Sequence, residues 1–102
     1  MPLTVELWTE LTDPTVEARV VHVRLPRSTE TDRRFELLKW VDPWGDTVFN
    51  RAQCSDLVAE LALACDDFGD GVPAGVEALM KVKALAERAT SEPHSYLVFI
   101  GD

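Results

Sequence analysis

The chain has 102 residues, 46% hydrophobic and 27% charged, the balance of one ordinary globular domain rather than a disordered or fibrous chain. Its net charge of −8 argues against nucleic acid and anionic membrane as partners, because both carry dense negative charge. No apolar run approaches the roughly 20 residues of a membrane span, and the opening Met1–Glu10 lacks the basic-then-apolar order of a secretory signal, so the expected location is cytoplasmic.

Leu3, Val5, Leu7 and Leu11 alternate with Thr4, Glu6, Trp8 and Glu10, which predicts a half-buried strand. Thr12-Asp13-Pro14 supplies a turn, and the valine-rich run Val16–Leu25 predicts a second strand ending at Pro26. After the polar stretch Arg27–Asp32, Phe35–Val41 reads as a third strand. Asp42-Pro43-Trp44-Gly45-Asp46 then reads as a turn, with Gly45 at positive φ, into a short fourth strand, Thr47–Phe49.

The character changes at Asn50, which with Gln53 forms a capping-box pair. Cys54, Leu57, Val58, Leu61, Cys65 and Phe68 recur at helical spacing. A second helix over residues 74–90 carries the stripe Leu79, Val82, Leu85, Ala86 and Ala89, and Pro93 closes that region. Tyr96–Ile100 is apolar at every position, the mark of a strand central in its sheet and covered on both faces. The expected fold is one α+β domain over residues 1–102, a two-layer sandwich. A mostly antiparallel sheet of about five strands, in the order β-β-β-β-α-α-β, carries a helical hairpin on one face. Loss of the last strand is expected to be severe.

The two cysteines, Cys54 and Cys65, fall on one helix roughly 16 Å apart along its axis, too far for a disulfide, whose Cα atoms lie within about 7 Å. They read as apolar fillers of a reduced core, and no CxxC or HxxxH spacing points to zinc. Charge is unevenly spread. Residues 52–80 hold the acids Asp56, Glu60, Asp66, Asp67, Asp70 and Glu77 with no base, while residues 18–41 carry six bases against three acids.

Three stretches are candidate sites. Residues 66–77 place Asp66, Asp70 and Glu77 at positions 1, 5 and 12 of a calcium-loop template, with Gly71 at position 6. Phe68, Pro73 and Ala74 depart from that template, so an acidic interhelical turn is the simpler reading and no metal is assigned. The sheet face away from the helices is expected to carry Trp8 together with a tryptophan and a histidine, Trp40 and His22 being the candidates on the other strands, and so more apolar surface than solvent requires, which marks an interface. Trp44, between Pro43 and Gly45, reads as a turn residue or as a recognition anchor. Catalysis has no signature: no GxSxG, phosphate loop or metal spacing exists, and His22 and His94 would matter only if strand pairing brought them together.

Asp42–Asn50 and Pro93–Asp102, about a fifth of the chain, resemble segments of small uncharacterised bacterial proteins, a resemblance that implies no function. In size, acidity and α+β character the chain resembles bacterial immunity proteins, which block a toxin by presenting acids to its basic active site. That resemblance implies an inhibitor of a basic protein.

The expected function is therefore a binding protein without catalytic activity or cofactor, either a homodimer or an inhibitor of a basic partner. Trp8, Trp40, Trp44 and His22 would supply contact, and Asp56, Glu60, Asp66, Asp67 and Asp70 would supply charge. The alternatives are a small-molecule or calcium-binding protein using the sheet face or the 66–77 loop, and a small enzyme of unknown reaction.

Overall fold

The computed structural model describes residues 3–10, 12–68 and 73–101. Strands β1 (Leu3–Thr9) and β2 (Val16–Val23) form an antiparallel hairpin. A long excursion follows, holding the single helical turn α1 (Ser28–Thr31) and a 3-10 turn at Leu38–Trp40. Strand β3 (Asp46–Phe49) leads into helices α2 (Arg51–Phe68) and α3 (Pro73–Ser91), and β4 (Ser95–Ile100) returns between β1 and β3. The sheet is four-stranded, ordered β2-β1-β4-β3 and antiparallel throughout. The α+β sandwich holds, with one strand fewer than the pattern predicts. Leu11, expected to extend the first strand, lies outside the described residues.

The missing strand is Phe35–Val41. Its apolar residues are inside as expected, Phe35 and Leu38 both buried. Its backbone, however, bonds to α2 rather than to a strand: Leu37 N–H and Leu38 N–H donate to the Glu60 carboxylate at 3.0 Å each. A buried amide must find an acceptor, and a carboxylate on a helix serves as well as a ladder. Trp40 N–H and Val41 N–H then close back on the Leu37 and Leu38 carbonyls. The segment coils instead of extending.

Helix starts follow their chemistry. Asn50 Oδ1 accepts from Gln53 N–H at 2.9 Å and Gln53 Oε1 from Asn50 N–H at 3.0 Å, a reciprocal capping box opening α2. Pro73 opens α3, where its missing N–H costs nothing. Both predicted stripes face the sheet: Cys54, Leu57 and Leu61 of α2, joined by Ala64, and Leu79, Val82, Leu85, Ala86 and Ala89 of α3 are buried with Leu3, Val5, Leu7, Phe49, Leu97 and Phe99, while the predicted Val58, Cys65 and Phe68 are only half-buried at the margin of this core. Phe49 meets Phe99 edge to face with centroids 5.6 Å apart, a geometry that adds to simple burial.

The turn into β3 is built as its residues dictate, with one difference. Asp42 Oδ1 accepts from Trp44 N–H at 2.8 Å, and Thr47 Oγ1 accepts from Asp42 N–H at 3.0 Å. Gly45, however, stays out of the left-handed region. Its N–H closes on Asp42 O and its own carbonyl receives Gly101 N–H at 2.8 Å. The turn is thereby tied to the end of β4.

Candidate interaction surface

Strand pairing assigns every side chain to a face, because residues directly opposite in an antiparallel ladder point the same way. Leu3, Val5 and Leu7 face the helices. The other face carries three rows read from β2 towards β3: Val16–Trp8–Tyr96, then Arg19–Glu6–Val98–Val48, then Thr4–Ile100–Asp46. Both helices and the buried residues of the excursion pack on the opposite side. Val16 and Val48, at the two edges, remain 43% and 42% exposed. Trp8, Tyr96 and Ile100 are half-buried, and Val98 at the centre is fully buried.

A paired charge sits within this apolar face. The Glu6 carboxylate, 6% exposed, accepts from Arg19 Nε at 2.6 Å and from Trp8 Nε1 at 2.8 Å. A charge so enclosed is tolerable only with such partners. The pair fixes the Trp8 indole on the face and leaves the row locally neutral.

The structure separates the other expected contact residues from Trp8. Trp40 belongs to the 3-10 turn, 70% exposed, with Lys39 Nζ 5.4 Å from its ring centre. Trp44, 69% exposed, lines a cleft of about 320 Å³ that it shares with apolar Leu3, Leu25 and Val41 and polar Arg27, Thr29 and Glu30. His22 takes φ 57° in the β2 bulge, where Leu3 pairs with Val23 but Val5 with Val20. A bulge re-aims its residue, and His22 lines a shallow cleft between β2 and α3 with Arg19, Arg24, Glu77 and Lys81.

The acids are equally divided. Asp56 and Asp66 are exposed on α2. Glu60, expected among the surface acids, is buried under the 3-10 turn. Asp67 accepts from Arg34 at 3.0 Å and from Ser28 Oγ, so the excursion explains an acid that the helix C-terminus alone would disfavour. Arg34 also donates to Asp32 at 2.9 Å and holds that carboxyl below its ordinary pKa. Asp70 lies outside the described residues.

Of the calcium-loop positions, Asp66 stands in the last turn of α2 and Glu77 in the first turns of α3, while Asp70 and Gly71 lie outside the described residues. Glu77 stands opposite Lys81 at 3.9 Å. Among the described residues no three His, Cys, Asp or Glu side chains gather to hold a metal.

His22 and His94 are not brought together. Val23 pairs with Leu3 and Ser95 with Thr9, placing the two histidines at opposite ends of β1, roughly 20 Å apart at strand rise. Cys54 is buried and its thiol pKa rises to about 11 because burial disfavours the thiolate. Cys65 is raised in the same sense, first by burial and then by Asp66. Both thiols are free, and neither is activated.

The alternation of β1 is enough to place Trp8 on the face away from the helices, but nothing in the sequence places Tyr96, Val98, Val48 and Arg19 beside it. The unbroken apolar run of β4 hides parity, so nothing in residues 96–100 says which members face the helices. Only the register supplies that.

Comparison with protein-family models, curated proteins and solved structures returns no match. Among the described residues no helix is long and apolar enough to cross a membrane.

Proposed function

We propose that this chain is a non-catalytic interaction protein that docks another polypeptide on the sheet face opposite its helices. The observation that carries the reading is the row structure of that face: Trp8, Tyr96, Ile100, Val48 and Val16 form an apolar surface around the buried Val98, with no element of the described chain over it. Contiguous apolar surface rimmed by polar groups marks an interface, and aromatic residues are its usual anchors. A cytoplasmic setting accords with two unbridged cysteines.

The immunity-like reading, an acidic surface directed at a basic protein, has narrower support. Its exposed members on α2 reduce to Asp56 and Asp66, with Asp67 already engaged by Arg34. Trp44 and its cleft support small-molecule binding as a second reading, since about 320 Å³ lined by apolar side chains together with Arg27, Thr29 and Glu30 is the lower end of ligand-site sizes.

The test is the apparent mass of the 11.4 kDa chain in an extract of its native cells, compared with Val48→Lys. The wild-type chain is expected well above its own mass. Val48→Lys should run as a free monomer with its melting temperature unchanged within about 2 °C, because Val48 is a surface position. A wild-type chain that runs free in the extract and also stays monomeric when purified and concentrated to about 1 mM would remove the docking reading.

A further inference from the structure

We infer that a second copy of this chain occupies the sheet face, related to the first by a two-fold axis running parallel to β1 and β4. The inference rests on the docking reading above and names its occupant.

Charge placement selects a second copy over a basic partner. The exposed acids of α2 lie in the helical layer, so a basic protein would be drawn there. On the sheet face itself Glu6 is held by Arg19. Around the apolar centre stand Arg19 on one edge strand, its side chain still 58% exposed while bonded to Glu6, and the exposed anion Asp46 on the other. Such a surface complements itself. A two-fold along the strands lays each copy's β2 over the other's β3, bringing Arg19 towards Asp46 twice, while β1 and β4 cross at the centre. A two-fold across the strands would instead stack β2 on β2 and set Arg19 against its own symmetry mate. Packed sheets keep their strands within about 30° and lie about 10 Å apart. Asp46 is two residues from Val48, the end of Arg19's own row, or roughly 7 Å along the strand. The arginine side chain spans that offset.

Size sets the strength. A face of four strands, each about six residues long, covers roughly 19 by 20 Å. That is about half the ~800 Å² per partner of a standard interface. Pairing is therefore weak and dependent on concentration.

The experiment is sedimentation equilibrium of the purified chain, from micromolar to millimolar, alone and in charge-reversed pairs. Wild type is expected to pass from 11.4 kDa to twice that mass. Asp46→Arg alone and Arg19→Glu alone should each weaken association by on the order of tenfold or more, since each places like charges in contact twice. Their equimolar mixture should restore a dimer, because both contacts then join opposite charges. Arg19→Glu also removes the partner of buried Glu6, so circular dichroism checks its fold and Val48→Asp serves as a second probe, expected folded and monomeric. A mixture that stays monomeric while wild type dimerises overturns the axis. Wild type monomeric at 1 mM overturns the second copy as occupant. If the chain then still runs heavy in native extract and Val48→Lys frees it, the docking reading stands on a different partner. If it runs free there as well, both fall.

Discussion

A methyl group added at Gly101 would overlap the carbonyl carbon and oxygen of Pro43 and lie 2.7 Å from the Asp42 carbonyl oxygen. Those atoms are backbone and cannot swing aside, so glycine is required here for close approach rather than for its dihedral freedom. Gly101→Ala should destabilise by about 2 kcal/mol, the usual cost of overpacking. That lowers the melting temperature of a domain this size by about 10 °C, measurable by calorimetry. Cys54 makes a second residue-scale prediction. Its native pKa of about 11 exceeds the ordinary 9.0 because the buried thiolate is disfavoured. Between those values the unfolded chain has released the proton while the native chain retains it. The unfolded state then binds fewer protons, so stability falls as pH rises through that window and is unaffected below it. Denaturant midpoints at pH 8 and pH 10.5 should converge for wild type and Cys54→Ala on the alkaline side, after allowing for the cavity the alanine leaves. A constant gap between the two would contradict a buried neutral thiol.

At the scale of elements, legibility tracked side-chain periodicity and failed where the backbone decided. Both helices were readable because Leu57 and Leu61, and Leu79, Val82 and Ala86, repeat at 3.6-residue spacing. Asn50 and Gln53 announced the first of them. Phe35–Val41 was not readable, since Phe35 and Leu37 alternate as a strand would while the acceptor that coils the segment stands 22 residues away on α2. That dependence is testable. Glu60→Ala would leave the Leu37 and Leu38 N–H groups buried without an acceptor, at a cost of about 3 kcal/mol. Glu60→Gln should recover most of it, because one oxygen, Oε1, already lies 3.1 Å from Leu37 N and 3.0 Å from Leu38 N. Urea midpoints of the two variants check this, and equal losses would mean that charge rather than hydrogen bonding holds the turn. The candidate face was half legible for a related reason. Trp8 sits on an alternating strand and its direction follows from Leu7 and Val5. Tyr96 and Val98 sit on β4, whose residues 96–100 are uniformly apolar and fit either parity.

At the scale of the whole molecule, net charge and face make opposite demands, and salt separates them. Each copy carries −8. With a radius of gyration of 12.5 Å, two copies packed sheet to sheet have centres roughly 25 Å apart, where unscreened repulsion in water is about 10 kcal/mol. At 0.15 M salt the screening length falls to about 8 Å, and the repulsion shrinks to the order of 1 kcal/mol. The two Arg19–Asp46 contacts weaken over the same range, but exposed pairs contribute only about 0–1 kcal/mol each. Repulsion wins, so self-association should strengthen as salt rises from 10 mM to 150 mM. Association with a basic protein steered by Asp56 and Asp66 must weaken over that interval, because it loses attraction instead. The sign of the salt dependence thus discriminates the two occupants without any substitution. It is read from the dissociation constant in sedimentation at three ionic strengths. Folding itself should shift in the same direction as dimerisation, since a single copy also repels itself. A dimer that falls apart on adding salt would show that the face is held by charge, and the apolar rows through Trp8 and Val98 would no longer account for it.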